Sequence, residues 1–402
     1  MIVNVKELLK ELDYIGRFVE KKTSIPILAH ALICAGGDKL SLVGTDLELT
    51  GMTSIPGTAE APAESWTITA PIRKLKEYLK QVDDKEVSVS ASIETGKPVK
   101  ITRDKLDDNG KPTYDPITRA KVTEEVEETY TTYRLVLHHG DGGEASFEGM
   151  DPKCFPEVAI PAKIHGELGN LKQMYQRCEM AISKEESRFT LNGALLILNP
   201  ENSAVVSTDG HRLSYLPATF TALEPCKTIV MKKALFEAQR MNGDTCLFGM
   251  DENFQLFLGH QRSIVARKLK GNFPDYERVL PKEFWRSITV DAKELHKIIK
   301  RSAVCAHERS RAIQLYVKDK TLVAEAKQME QTARGSIPIE WPDDAAWRGG
   351  INADYALGFL ALADGPVTFG FQAVREGKEC VDAAMQFSTP EGWLMVIMPM
   401  RI

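Results

Sequence analysis

Apolar positions along this chain recur with two rhythms, one helical and one extended. Val5-Lys-Glu-Leu-Leu-Lys-Glu-Leu12, Leu168-Gly-Asn-Leu-Lys-Gln-Met-Tyr175 and Lys293-Glu-Leu-His-Lys-Ile-Ile299 each predict the opening of an amphipathic helix, and each follows a short β-type run. A second helix is predicted in each unit, over Pro71 to Val82, Met231 to Met241 and Ala353 to Ala363, so that Leu75, Leu235 and Leu357 stand about as far apart as the three first helices do. Alternating or apolar runs bounded by Gly, Asp and Asn predict strands at Leu40–Val43, Leu195–Leu198, Ala204–Val206, Ile313–Val317 and Thr321–Ala324. Matching offsets for two helices read as a threefold repeat. Each unit is then α+β, several antiparallel strands with two helices covering one apolar face. The expected domains are 1–165, 166–285 and 286–402.

One stretch breaks the rhythm. Arg103 to Tyr130 is polar, holds Gly110, Pro112 and Pro116, and carries eight acidic against five basic residues. It reads as an extended hairpin or loop inserted in the first unit. Its cluster Glu124, Glu125, Glu127 and Glu128 reads more simply as a solvated face than as a binding surface.

The helices carry charge as well as apolar stripes. Around the first helix, continued to residue 21 at ~100° per residue, Leu8, Leu12, Ile15 and Val19 share one side, while Lys6, Lys10, Arg17 and Lys21 gather opposite with Asp13 among them. Lys293, Lys297, Lys300 and Arg301 share a face in the third unit, and Arg73, Lys76 and Lys80 stand on the second helix of the first; the second helix of the third unit has no basic residue. If equivalent helices face a common centre, these side chains meet phosphates without reading bases. No C₂H₂ finger or RNA-recognition signature offers base readout.

Composition narrows the class. The 402 residues, 43% hydrophobic and 27% charged, suit two to four globular domains. A net charge of −5 confines any nucleic-acid contact to local basic faces. No apolar run approaches the ~18–20 residues of a membrane span, and Met1 to Lys10 lacks a signal pattern, so the chain is expected in the cytoplasm with no membrane partner. Cys34, Cys154, Cys178, Cys226, Cys246, Cys305 and Cys380 form no CxxC pair, which predicts buried reduced thiols and no metal or other cofactor.

Catalytic chemistry finds little footing. Asp209 and His211 with Ser207 or Ser214 supply the types for a hydrolase, but residues two apart rarely converge as a triad, and no GxSxG elbow exists. His138-His139 beside Gly140-Asp-Gly-Gly143 lacks the spacing of a P-loop or HExxH motif and reads as a hairpin turn.

Six short motifs in order carry a resemblance: Ile25-Pro-Ile-Leu28, Gly44-Thr-Asp-Leu-Glu48, Leu191-Asn-Gly193, Thr208-Asp-Gly-His-Arg-Leu213, Phe273-Pro-Asp-Tyr276 with Arg278-Val-Leu-Pro281, and Met398-Pro-Met-Arg-Ile402. Together they resemble the β sliding clamp of bacterial DNA polymerase III, across nearly the whole chain except the 103–130 insertion. The resemblance implies three DNA-clamp domains per chain, a head-to-tail homodimer closing into a ring, and a non-catalytic processivity factor that encircles double-stranded DNA without sequence preference. Heterologous contacts that close by rotation permit such a ring. Implied partners are the replicative DNA polymerase catalytic subunit, the clamp loader and other proteins with a clamp-binding motif.

Carried over residue by residue, the implied client-peptide cleft between the second and third domains takes Leu191, Thr208, Gly210, His211, Arg212, Leu213, Pro274, Val279, Asn352, Tyr355, Val396, Met398, Pro399 and Met400. Leu, Val, Pro and Met suit an adaptable apolar groove, and Arg212, His211 and Asn352 are expected to fix the peptide's polar groups. The implied DNA contacts are Lys22, Arg73, Arg188 and Phe189. Three departures stand out: Phe189-Thr190 replaces paired aromatics, Glu185 replaces a neutral polar residue, and the interface acids of the third domain thin to Glu330 within Lys327-Gln-Met-Glu-Gln-Thr-Ala333. A paralogue that binds client peptides without encircling DNA is the alternative reading.

Overall fold

The computed structural model describes residues 1–59, 65–107, 111–114, 119–140, 142–281, 283–341, 347–371 and 384–401. Cys380 and parts of the insertion lie outside them. Among the described residues the strand pairings are antiparallel, and six α-helices run Val5–Ile15 (α1), Ile72–Leu79 (α2), Leu171–Glu179 (α3), Lys232–Ala238 (α4), Ala292–Ser302 (α5) and Ala353–Leu360 (α6). Each helix directly follows a strand, or is parted from it by two residues in the case of α3. The helices pack in sequence pairs, α1 with α2, α3 with α4, α5 with α6, which is the threefold repeat in three dimensions.

The helix starts have local causes. Asn4, Asp291 and Asn352 each accept two backbone N–H groups of the first turn, those of residues 6 and 7, 293 and 294, and 354 and 355, which caps α1, α5 and α6. At α3 the strand Ile164–Leu168 runs on to a left-handed Asn170 (φ 52°), so the helix opens at Leu171 rather than at Leu168 as the periodicity predicts. At α1 the helix stops at Ile15 with Gly16 as its C-cap. Arg17, Val19 and Lys21 therefore stand off the helix, and the basic sector shrinks to Lys6 and Lys10. Asp13 is an ion-pair partner of Lys76 on α2.

The chain forms two compact units, one of Met1–Val158 with Gln261–Ser263, the other of Ala159–His260 with Ile264–Ile402. In the first, strands Leu49–Pro56, Lys39–Thr45, His30–Gly36 and Trp66–Pro71 are neighbours in that order, and a second sheet runs Ile2–Asn4, Glu86–Thr95, Thr131–His138, Glu144–Glu148. Leu8, Leu12 and Ile15 of α1 are fully buried against the first of these sheets. Glu11 is buried among them. Its carboxylate takes two bonds from the Arg262 guanidinium, at 2.8 and 2.9 Å, and one from the Thr53 hydroxyl at 2.7 Å. An uncompensated charge there would be costly, so pair and hydroxyl together make the burial tolerable.

The second unit holds one eight-stranded sheet, ordered Cys226–Met231, Gly193–Leu198, Ala204–Thr208, Arg212–Pro217, Leu394–Ile397, Met385–Ser388, Pro366–Phe371, Arg286–Asp291. It takes strands from both sides of residue 286. A four-stranded sheet, Gln331–Pro338, Thr321–Gln328, Ala312–Lys318, Trp347–Asn352, packs under α5. Its hairpin tip leaves Met329 89% exposed.

Among the described residues the stretch read as an extended hairpin or loop contains a two-stranded ladder that begins earlier than residue 103, with Val99–Asp104 paired to Thr123–Glu128. Only Cys178 and Cys246 of the described thiols are buried, and burial pushes both up to about 12; Cys34, Cys226 and Cys305 are half-buried and Cys154 is exposed, which corrects the expectation of uniformly buried thiols. No helix among the described residues is long and apolar enough to cross a membrane.

Candidate functional site

Thr208-Asp-Gly-His-Arg-Leu213 is a hairpin turn that builds itself. Asp209 Oδ1 accepts the N–H groups of His211 and Arg212, and the Thr208 hydroxyl donates to the Arg212 carbonyl while accepting from Gly210 N–H. Gly210 takes φ 88°, a region glycine enters without the Cβ penalty. The turn sets strands Ala204–Thr208 and Arg212–Pro217 in register, and the latter pairs with Leu394–Ile397. Thr208, Leu213 and Val396 thus stand in one cross-strand row, although 183 residues separate Leu213 from Val396 in sequence.

Side chains alternate across these strands, so the two faces have different fates. On one face Ser207 and Ser214 are fully buried under α3, their hydroxyls donating to the carbonyls of Cys178 and Arg177. On the other face Leu195, Val206, Leu213, Ile229, Tyr276 and Val396 form an apolar cluster, against which Phe273 and Val279 of the following loop pack. Where that loop stops short of the sheet, a cavity of about 130 Å³ opens, close to the roughly 150 Å³ of an apolar cavity that takes a benzene ring.

Its walls bring together Leu191, Thr208, Gly210, Arg212, Leu213, Pro274, Val279, Val396 and Met398 of the expected residues. Asp275 and Tyr276 line it as well, and sequence reasoning did not name them as site residues. The signal was present in the Pro-Asp-Tyr motif. The Tyr276 ring stacks on Tyr215 at 6.1 Å, and burial, with Glu277 nearby, raises its phenol above the ordinary value.

Arg212 is held from two sides. Its Nε donates to Asp209 Oδ2 at 3.0 Å, and its guanidinium lies 4.1 Å from the Tyr355 ring centroid. Burial, then Asp209, pushes the Tyr355 phenol up. Tyr355 therefore serves the site through Arg212 rather than as a wall. Asn352 Oδ1 caps α6 and one Nδ2 N–H donates to the Ser310 carbonyl, so the fold fixes the orientation of this amide. His211 contributes its backbone, whose carbonyl takes the Met398 N–H, while Met400 N–H bonds the Gly350 carbonyl. These two bonds hold the apolar segment through Pro399 at the rim. The Asp209/His211 hydrolase grouping does not assemble, because Asp209 is committed to Arg212 and both serine hydroxyls face α3.

Of the expected DNA contacts, Lys22 is exposed in the loop after α1, and Arg73 is exposed on α2 with Glu77 at 3.1 Å. Arg188 bonds Glu185 at 2.9 Å and the Asp209 carbonyl at 3.2 Å, which places it beside the cleft turn. Phe189 is 56% exposed. His139 joins Asp84 (3.2 Å) and Tyr78 (2.8 Å) at a hairpin turn, and no cluster of three metal-ligating side chains occurs among the described residues.

Models of the DNA polymerase III beta subunit match the N-terminal domain at residues 1–113, the central domain at 166–275 and the C-terminal domain at 277–361, most of the chain in all. The chain belongs to that family. Membership makes it a sliding clamp of three clamp domains, a non-catalytic processivity subunit serving DNA replication. It is 27% identical over 371 residues to the beta sliding clamp of Pseudomonas putida, covering 88% of each chain, and 26% identical over 408 residues to that of Caulobacter vibrioides, covering 98% of each. The crystal structure of the DNA polymerase III subunit beta from Pseudomonas aeruginosa superimposes with a TM-score of 0.79 at 22% identity over 100% of this chain and 99% of that one, a likeness of fold.

Proposed function

We propose that two copies of this clamp close head to tail around duplex DNA, and that the cleft holds one apolar side chain of a client peptide while Arg212 meets the peptide's polar groups. The observation that carries the cleft reading is the row Thr208, Leu213, Val396 under an open, prepositioned cavity whose arginine is already fixed by Asp209 and Tyr355. Preorganisation of this kind removes ordering cost from binding. The proposed clients are the replicative polymerase catalytic subunit, the clamp loader and other proteins carrying a clamp-binding motif, in the cytoplasm. The domains are taken as 1–165, 166–285 and 286–402.

Ring closure finds support in two open sheet edges among the described residues, Glu144–Glu148 in the first unit and Gln331–Pro338 in the second. Unpaired edges are liabilities that a partner strand relieves. The first carries Glu144 and Glu148, the second Arg334, and beside the second Val304 is 79% exposed. Lys22, Arg73, Arg188 and Phe189 are the proposed DNA contacts, weak and without base readout, since a closed ring retains DNA by topology.

Two assays test this. A fluorescent peptide from the polymerase's clamp-binding segment should bind the wild type and lose at least tenfold in affinity, about 1.4 kcal/mol, on Arg212→Ala; equal binding would remove the cleft assignment. After loader-assisted loading, the clamp should stay on nicked circular DNA and leave when the DNA is linearised. Equal retention on both would end the sliding reading, and a persistent monomer would favour the peptide-binding paralogue.

A further inference from the structure

The insertion is an arm. The ladder of Glu86–Thr95 with Thr131–His138 continues, after a short break, into Val99–Asp104 with Thr123–Glu128. From Ile93 to Tyr130 no described side chain is buried. An isolated two-stranded ribbon is marginal in water, and here cross-strand ion pairs replace a core: Arg103 with Glu124 at 3.1 Å, Lys121 with Asp104 at 2.6 Å, Arg134 with Glu94 at 3.3 Å. Yet the ribbon also exposes Ile93, Leu106, Tyr114 and Tyr130, each more than half accessible. Large apolar side chains on a coreless ribbon with two open edges suit a surface that is covered in an assembly.

We propose that this arm clasps the second copy of the chain in the ring, along the hairpin formed by Thr321–Gln328 and Gln331–Pro338. The inference rests on the ring reading. Its direction comes from register: Arg134 stands opposite Glu148 and His138 opposite Glu144, so the arm leaves the sheet beyond the Glu148 end of the open edge. A strand added to that edge would lie about 10 Å from Thr131–His138, and an arm extending about 30 Å past it, at ~3.3 Å per residue, runs alongside the body that carries the added strand.

Charge points to the same occupant. Glu125 and Glu127 are exposed on one face of the arm, with Lys100 opposite Glu127 and Thr102 opposite Glu125, because alternate residues of a strand share a face. On the hairpin of the second unit Arg334 faces Glu325 at 3.9 Å, while Lys327 is exposed near Glu330, with Met329 at the tip as an apolar counterpart for Leu106 and Tyr114. Glu125 of the arm is thus the partner for Lys327 of the other copy.

The test replaces residues 97–129 by an Asn-Gly turn in the full chain and measures mass by light scattering and sedimentation across a dilution series. Circular dichroism and cleft-peptide binding serve as controls that the body is intact. The dimer dissociation constant is expected to rise at least tenfold, and E125K/E127K to raise it severalfold, with K327E partly restoring it. An unchanged dissociation constant in the deletion variant overturns the clasp, including the case in which only polymerase or loader binding falls. A wild type that is monomeric at every concentration overturns the ring reading itself, which is a separate result.

Discussion

Two turns in this clamp obey one local rule and reach different ends. In Gly44-Thr-Asp-Leu-Glu48 the Thr45 hydroxyl donates to the Leu49 carbonyl, and Asp46 Oδ1 accepts from Glu48 and Leu49 N–H. In Thr208-Asp-Gly-His-Arg212 the Thr208 and Asp209 side chains do the same work at equivalent atoms. Leu47 takes the left-handed position in the first (φ 73°) and Gly210 in the second (φ 88°). What distinguishes the second is the cavity that it lines together with Pro274, Val279, Val396 and Met398. The same local code therefore builds a scaffold, and neighbours distant in sequence give one copy of it the cavity of the candidate site.

A buried leucine beside each turn offers the largest effect, Leu49 at the place that Arg212 holds in the second turn and Leu213 one residue further on. Leu49 and Leu213 are both buried, so Leu49→Ala and Leu213→Ala should each cost about 2–5 kcal/mol in denaturant unfolding. Only Leu213→Ala should also weaken peptide binding. Should both do so, the cleft is not confined to the second turn.

Next come the aspartates. Asp209→Ala removes two backbone caps and the partner of Arg212, an expected loss of about 2–3 kcal/mol against about 1 kcal/mol for Asp46→Ala. Equal losses in thermal unfolding would show that the Asp209–Arg212 pair adds no more than the other interactions of Asp46 do.

The left-handed residues should answer more weakly and asymmetrically. Gly210→Ala strains the backbone and sets a methyl 3.0 Å from an Arg188 guanidinium nitrogen, an expected loss of about 1–2 kcal/mol. Leu47→Gly trades strain for chain entropy and should stay within about 0.5 kcal/mol of wild type.

The smallest effect is expected behind the second turn, where Arg177 bonds Glu391 at 2.8 Å and lies 4.5 Å from the Trp393 centroid. Burial favours the neutral carboxyl, but the Glu391 backbone N–H, Arg177 and Thr389 outweigh it and hold the group below its usual value. A depressed folded value means stability that is present above the unfolded value and lost as pH falls through the folded one, so melting temperature should drop further below about pH 4.5 in wild type than in Glu391→Gln. Parallel acid profiles would assign that sensitivity to other carboxylates.

Local pattern and local chemistry were legible in the sequence. The six helices and the three-part repeat follow from a pattern that spans a few residues at a time, and eight of the nine expected residues that line the cavity lie in short motifs. What went unread depends on distant partners. Glu11 sits on an apolar helix face, where Thr53, 42 residues away, and Arg262, 251 residues away, together make it tolerable. The cap that Asn352 provides is visible only once α6 begins at Ala353. The row Thr208, Leu213, Val396 exists because a strand near the end of the chain pairs with one near the middle. Periodicity assigns each residue to a face, but which face meets which is settled by long-range pairing and burial, and those are properties of the folded chain.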